Sequence, residues 1–374
     1  MILLWPDGTK LAAIRQHTPF AAPGVTTTTA RVTRVAPACK GADQAGESAG
    51  GCGTIEVRVL AGAGAGDRAE VRIAPEVTAS GIGAGDVVQL VRTPAQHGQP
   101  ASYTYDTTRR TSSLLWLTVG FVLVVLAVAR LRGMMALIGL GFGALTIYYF
   151  LVPALLVGEP PILVAVVAAS AIMFVVLYTT HGPSLRTSTA LAGTLVGIVL
   201  TAALSVLSVG YTHLTGIADE TGGMVSTFAA GLDFQGLLVC GVILAGLGVL
   251  NDVTITQASS VWELRAASAS GTQMSRRRLF VSAMRIGRDH IASTIYTIAF
   301  AYAGASLAVL LLLTIYDRPL IQLISSESLA EEIARTLVTA TGLILAVPVT
   351  TAIATLVASA APDQATSPLE SRPE

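Results

Sequence analysis

The sequence is poor in charged, cysteine and aromatic residues. Only 12% of the 374 residues are charged, roughly half the share in an average soluble domain, and 23 Lys and Arg balance 23 Asp and Glu. Without a net charge, the composition does not indicate a nucleic-acid partner or an acidic one. With only 6% aromatic residues, the chain also has few side chains on which bases could stack. We therefore expect no nucleic acid among its partners.

The motifs of soluble enzymes are missing as well. The sequence contains no P-loop, no HExxH and no GxSxG. Its five histidines are not spaced like metal ligands, and no pairing of a nucleophile with a base is evident. We therefore expect no enzymatic activity, no catalytic or metal-binding residues and no cofactor.

The three cysteines fall into two groups. Cys240 lies in an apolar run and is interpreted as a small core residue. Cys39 and Cys52 flank the Gly-rich stretch GADQAGESAGG. In an oxidising, extracytoplasmic location these two would close a short loop by a disulfide, and the alternative is a pair of free thiols.

Apolar residues, in contrast, are abundant. They make up 52% of the chain, and the mean hydropathy is +0.67. A membrane-spanning helix needs about 20 mainly apolar residues, and soluble packing does not explain a succession of such runs. The sequence therefore predicts a membrane α-helical bundle of about seven transmembrane helices at 111–360. The runs are 114–129, 134–157, 160–180, 189–210, 236–258, 291–315 and 335–359.

The arginines between these runs predict the orientation, because basic connections stay in the cytoplasm. Nine arginines lie in the connections that follow the first, third and fifth runs. The other connections hold two, Arg318 and Arg335. The N-terminal domain is thus predicted to be extracytoplasmic and the C-terminus cytoplasmic. Residues 361–374 have the composition of a disordered polar tail.

The region before the helices has a different pattern. Segment 1–24 opens with MILLW, which we interpret as the remnant of a missing upstream membrane helix, followed by a linker. Residues 25–110 contain alternating β-branched segments between Gly-rich turns, which predict a small β-barrel-like domain of OB or SH3 type. The expected strands are 30–35, 54–60, 69–74, 86–92 and 102–106.

Polar residues interrupt the fifth apolar run at Asn251 and Asp252. Ionisable groups inside a membrane are costly and usually face the interior of a helix bundle. At helical spacing Asp252 shares a face with Thr256, Ser259 and Glu263. These residues form a candidate transport or ion-coupling site. The alternative is that Asp252 is a hydrated interfacial group or half of a structural ion pair.

A second charged group precedes the sixth run and contains Arg285, Arg288 and Asp289. Arg285 and Asp289 share a helical face with small residues of the following span. We therefore expect the fifth and sixth spans to pack together, with Asp252 or Glu263 facing Arg285 or Arg288.

Three segments carry a family resemblance: GVLNDVTITQASSVWEL, SAMRIGRDHIASTIYTIAFAYAGASL and LAVPVTTAIA. They resemble the YibE/F family of bacterial multi-pass membrane proteins, and the similarity covers about residues 30–360. Members of that family have a helix before the small domain, which agrees with the interpretation of segment 1–24. The resemblance implies a location in the bacterial inner membrane. It implies no established activity, so no catalytic residues are carried over.

The leading hypothesis is a permease-like transporter of unassigned substrate, ion-coupled through Asp252. The alternative is a membrane scaffold or accessory protein whose extracytoplasmic domain docks a partner. The partners expected in either case are membrane lipid and a second copy of the chain or another membrane protein.

Overall fold

The computed structural model describes residues 1–17, 24–36, 53–95, 100–229, 231–268, 274–315 and 319–360. Cys39, Cys52 and the tail 361–374 lie outside the described residues, so the disulfide and the disordered tail stay predictions. The chain divides into two units. One is Arg15–Val124, and the other joins Met1–Ile14 to Val125–Glu374.

The first unit is built on a five-stranded antiparallel sheet in the order β3-β2-β1-β4-β5. A short helix, α2 (Pro75–Ala79), lies between β3 and β4. All five predicted strands are confirmed, with small differences at their ends. They are β1 (Thr26–Val35), β2 (Thr54–Ala61), β3 (Arg68–Arg72), β4 (Val87–Thr93) and β5 (Ser102–Thr108).

One face of this sheet is apolar because side chains alternate along each strand. In β2, Ile55, Val57 and Val59 are buried, and the glutamate and arginine between them are exposed. The β-branched residues that predicted the strands are therefore also the residues that form the core. That core contains Ala30, Val32, Ile55, Val57, Val59, Val71, Ile73, Ile82, Val88 and Leu90.

The two edge strands approach each other, which curls the sheet into a half-barrel. Tyr103 of β5 donates a hydrogen bond of 2.6 Å to Asp67, which immediately precedes β3. Burial raises the pKa of the Tyr103 hydroxyl, and so does its bond to the Asp67 carboxylate. Gly64, at φ +84°, passes so close that a Cβ there would overlap the Tyr103 hydroxyl.

The rest of the described chain is helical. A 3₁₀ turn at Ile2–Leu4 precedes α1, and a π-helical segment at Ile147–Leu151 precedes α4. The helices are α1 (Gly8–His17), α3 (Thr111–Thr146), α4 (Val152–Leu156), α5 (Pro161–His181), α6 (Leu185–Thr212), α7 (Glu220–Phe228), α8 (Phe234–Ser268), α9 (Arg276–Ala305), α10 (Leu307–Ile315), α11 (Leu320–Ile324) and α12 (Glu327–Ala360).

Within the described residues, five helices are long and apolar enough to cross a membrane, so the count of about seven is not confirmed. They are Thr111–Leu156, Pro161–His181, Leu185–Thr212, Phe234–Ser268 and Glu327–Ala360. The predicted span 291–315 is not one continuous helix. It is divided at Ser306 between α9 and α10, and α9 is too polar along its first half to qualify.

The predicted spans 114–129 and 134–157 fall within the single run Thr111–Leu156. The backbone leaves the helical conformation at Arg130, with φ 51° and ψ −130°. A Cβ placed on Gly133 would lie 2.7 Å from the carbonyl oxygen of Val125. In a straight helix, residues eight apart are separated by about 12 Å, so the chain folds back at Arg130. The boundary between the two predicted spans coincides with this break.

Helices α6, α8 and α12 pack against one another and form the centre of the helical unit. Close approach depends on glycines. A Cβ at Gly193 of α6 would overlap the side chain of Thr350 of α12, and one at Gly342 would overlap Thr201. Small residues at these positions let the helix backbones come close enough for extensive van der Waals contact.

Hydrogen bonds at the two ends define the directions of these helices. At one end, the Gln235 side chain donates to the Leu214 carbonyl at 2.7 Å, and the Thr215 amide donates to Glu327 at 2.6 Å. At the other end, Arg186 lies 3.4 Å from Glu263. Helix α6 therefore runs antiparallel to α8 and α12. These ends are called the Glu327 end and the Arg186 end below.

Replacing Gly193 with alanine should destabilise the helical unit by about 1–3 kcal/mol, because Thr350 is fully buried and cannot withdraw freely. The matched control is Gly241→Ala in α8, where an added Cβ would meet no atom within 4 Å. That change should be neutral or stabilising by up to about 1 kcal/mol through helix propensity. The thermal unfolding midpoint of the purified full chain measures both. Equal midpoints for the two variants would contradict this packing.

Candidate functional site

The predicted site residues Asn251, Asp252, Thr256, Ser259 and Glu263 all lie on α8. The helix continues without interruption through Asn251 and Asp252 and ends at Ser268. Asp252 thus lies near the middle of α8, whereas the apolar run alone had placed it close to the end of a span. Asn251 and Asp252 do not end the helix, because both residues keep the backbone N–H group that helical hydrogen bonds require.

The face that carries Asp252 points away from the packed centre. The Asp252 side chain is 66% exposed, and a Cβ on Gly241 or Gly248 of the same face would meet no atom within 4 Å. In the structure, Asp252 thus lies outside the packed centre, whereas ionisable groups of membrane helices usually face the bundle interior. The buried residues of α8, including Val253, are those offset from Asp252 around the helix.

Asp252 is paired with His290 of α9. The distance from its Oδ2 to His290 Nε2 is 3.5 Å, and the His290 side chain is 29% exposed. Among the described residues, neither Asp252 nor Glu263 forms an ion pair with Arg285 or Arg288, so the predicted pairing is wrong.

Helical periodicity explains the difference. The face of α9 that packs in the bundle contains Ala283, Gly287 and Thr294, which are spaced by about one or two turns. His290 belongs to this face. Arg285 and Asp289 lie on the exposed side. The packing of the fifth predicted span against α9 is confirmed, but through a different face of α9.

Glu263 has a different partner. It pairs with Arg186 near the start of α6, and both side chains are largely exposed. Exposed pairs of this kind contribute little free energy, typically up to about 1 kcal/mol. This pair marks where α6 and α8 meet, but it does not combine with Asp252 into one cluster.

A buried polar group on α8 was missed by the sequence analysis. Gln257 is 2% exposed, and its Nε2 donates to the Ala283 carbonyl of α9 at 2.8 Å. Nearly one turn earlier on α8 lies Thr254. Its hydroxyl is 2.7 Å from the hydroxyl of Thr194 on α6, and both threonines are fully buried. A signal was present: Thr254 and Gln257 recur at helical spacing with Leu250 and Val261, so they share the apolar face.

Asn251 lies between the exposed face of α8 that carries Asp252 and the buried face that carries Thr254. It is half-buried, and its side-chain Oδ1 is enclosed without a hydrogen-bond partner among the described residues. The backbone carbonyl of Asn251 accepts from the Thr254 hydroxyl at 3.2 Å. The amide of Asn251 is therefore an available acceptor between the Asp252–His290 pair and the buried Thr254.

For metal binding, no group of three or more His, Cys, Asp or Glu side chains is suitably arranged in the parts of the chain that the structure describes. The chemistry that this arrangement offers is proton and hydrogen-bond exchange. The groups that could take part are the Asp252 carboxylate and the His290 imidazole, whose nearest oxygen and nitrogen lie 3.5 Å apart.

Span-length apolar helices, packed through glycines and carrying isolated polar groups, define an α-helical protein of membrane type with an additional half-barrel sheet. A family model described as YibE/F-like protein matches residues 117–360, well over half of the chain. The chain belongs to the YibE/F-like family, which confirms the resemblance for the helical region. The match does not extend to the strands, although the resemblance had been expected from about residue 30. Comparisons with curated proteins and with solved structures returned no match.

Replacing Gln257 with leucine should lower the free energy of unfolding by about 1–3 kcal/mol, because the buried Ala283 carbonyl loses its side-chain donor. Ser259→Ala is the matched control, since Ser259 is half-buried on the same helix and its hydroxyl has no bonded partner among the described residues. Thermal unfolding of the purified chain compares the two. A Gln257→Leu variant as stable as Ser259→Ala would argue against a structural hydrogen bond at this position.

Proposed function

We propose that this protein is a permease of the bacterial inner membrane that couples solute movement to proton movement through Asp252. The observation that carries the proposal is the Asp252–His290 pair, 3.5 Å apart, at mid-length of a helix long enough to span a membrane. Ionisable groups at such positions are costly and are retained mainly where they serve ion pathways.

The surroundings of the pair support a route for protons. The Asp252 carboxylate is accessible on the open face of α8, and His290 is more enclosed. Behind them, the Asn251 amide and the Thr254 and Thr194 hydroxyls supply acceptors and donors that reach into the packed centre. A proton taken up at Asp252 therefore has hydrogen-bonding groups beside it within the helical unit.

We further propose that the Arg186 end faces the cytoplasm and the Glu327 end faces outward. The proposal is supported by the count of arginines in the connections, since arginine-rich connections stay in the cytoplasm. The half-barrel sheet is then an extracytoplasmic domain. Its five strands and approaching edges agree with the OB-like plan of a partly open barrel.

A second function, a membrane scaffold or accessory protein, is favoured by the open face of α8. Gly241, Ala245 and Gly248 form a stripe of small residues that no described residue covers. Such stripes let another helix approach closely. In this function a second copy or another membrane protein would pack on α8, and the half-barrel domain would dock a partner.

Asp252→Asn should abolish proton movement through the purified full chain in proteoliposomes, measured with an enclosed pH-sensitive dye under an imposed gradient. The reason is that asparagine cannot accept and release the proton. Asp289→Asn is the control, because Asp289 is exposed one residue from His290 and pairs with no described residue. It should retain proton movement.

One further variant distinguishes a permease from a scaffold, because the two functions predict opposite effects of substitutions at Gly248 and Asp252. Gly248→Leu places a large side chain on the open face of α8, at a position where a Cβ would meet no atom within 4 Å. A scaffold should lose its assembled state on gel filtration with Gly248→Leu and keep it with Asp252→Asn. Proton movement that is unaffected by Asp252→Asn would exclude coupling through this residue.

The proposed orientation is tested with single cysteines in a chain whose three native cysteines are changed to serine. Glu220→Cys at the Glu327 end and Arg276→Cys at the other end both replace exposed residues. A membrane-impermeant maleimide added to intact cells should label the first and not the second. The reverse labelling would invert the orientation.

A further inference from the structure

Glu331 is the one buried carboxylate among the described residues. It lies one turn after the start of α12 and is 7% exposed. Its Oε1 atom is enclosed and has no hydrogen-bond partner in the described part of the chain. No role in the proposed function draws on this residue.

Three other carboxylates lie near Glu331, and each has a partner. Glu327 accepts from the amide and the hydroxyl of Thr215, at 2.6 and 2.9 Å. Asp219 accepts from the Gly222 amide at 2.7 Å, at the start of α7. Glu332 lies 3.8 Å from Arg335. Glu331 is therefore the member of this acidic group that has no hydrogen-bond or ion-pair partner among the described residues.

Among the described residues, Arg335 is the cation that acts on Glu331. It lies four residues further along α12, at the spacing at which side chains of one helix can meet. Its Nη1 is directed to Glu332, and its Nε is enclosed without a hydrogen-bond partner among the described residues. Tyr302 of α9 is the titratable neighbour of Arg335 and Glu332.

Two further titratable groups described at this end are bonded or exposed. Asp233 accepts from the Gly236 amide at 2.9 Å and caps α8. His213, after α6, is exposed. Among the described residues around Glu331, negative charge therefore exceeds positive charge, with Glu327, Glu332 and Asp219 against Arg335.

An ionised carboxylate on a buried side chain, with one oxygen enclosed and unbonded and with more like charges than opposite charges among its described neighbours, is disfavoured. A protonated carboxyl group carries no charge and tolerates this environment. We propose that Glu331 is a proton-binding site, neutral while Arg335 is paired with Glu332. When the Glu331 O–H bond breaks, the proton passes to water and Arg335 moves from Glu332 to the new carboxylate.

This site is separate from the Asp252–His290 pair. Asp252 lies 18 residues after the start of α8 at the Glu327 end, which corresponds to about 27 Å along the helix. Proton binding at Glu331 therefore holds whether the protein is a permease or a scaffold. Through this site, a change in pH at the Glu327 end would affect the contact between α12 and Thr215.

The first test is infrared difference spectroscopy of the full chain in lipid nanodiscs across a pH series. The wild-type protein should show the carbonyl stretching band of a protonated carboxyl group at neutral pH, and Glu331→Gln should lose it. Glu220→Gln, an exposed glutamate of α7, is the control and should retain the band. A band of unchanged intensity in Glu331→Gln would overturn the proposal.

The second test keeps Glu331 in place and frees Arg335. Glu332→Gln removes the present partner of Arg335, so the arginine becomes available to stabilise ionised Glu331. The carbonyl band should then titrate at lower pH than in the wild-type protein. Removal of the Glu332 charge acts on Glu331 in the same direction. An unchanged titration would therefore refute the exchange of Arg335 even if Glu331→Gln failed to fold.

Discussion

The close approach of α6 and α12 is the constraint on which the helical unit depends. Gly193 lies against Thr350, and eight residues along each helix Thr201 lies against Gly342. Lipid chains are as apolar as the helix surfaces, so burial of apolar area does not by itself hold membrane helices together. Van der Waals packing at these two glycine–threonine contacts holds α6 and α12 together. It also fixes the register of these two antiparallel helices. Helix α8 then fits against both.

This register decides which side of α8 is enclosed. Thr254 and Gln257 are turned into the centre, where they bond with Thr194 and with the Ala283 carbonyl. Asp252 is turned outward and meets His290 at the border of α9. The same arrangement brings the start of α12, close to the buried Glu331, to Thr215. The coupling site and the proton-binding site that we propose are thus two consequences of one packing arrangement.

The β-rich unit and most of the helices could be predicted because their signals are local. Alternation in TIEVRVL identifies β2 and also its buried face, since only one face of that strand is apolar. Apolar runs identify α5, α6, α8 and α12 in the same way. The division of the run 291–315 at Ser306 was not predicted, because apolar content alone does not reveal a break in a helix.

The candidate site was only partly predictable. Periodicity correctly grouped Asp252 with Thr256 and Ser259, but the same period grouped Thr254 with Gln257. Helical spacing alone does not show which of these two faces packs against another helix. On α9 the charged face with Arg285 looked like the partner, whereas His290 is on the face that packs. The burial of Glu331 has no counterpart in the local pattern, because Glu327 and Glu332 nearby are of the same residue type and are less buried.

The sequence by itself therefore determined the strands, the apolar helices, the break near Arg130 and the family. Each of these rests on residue type and spacing within a short segment. The tertiary structure alone decided the partner of Asp252, the burial of Gln257 and the isolation of Glu331. These depend on which helix faces meet, and that choice is made by steric fit at a few glycines rather than by the apolar pattern of any single helix.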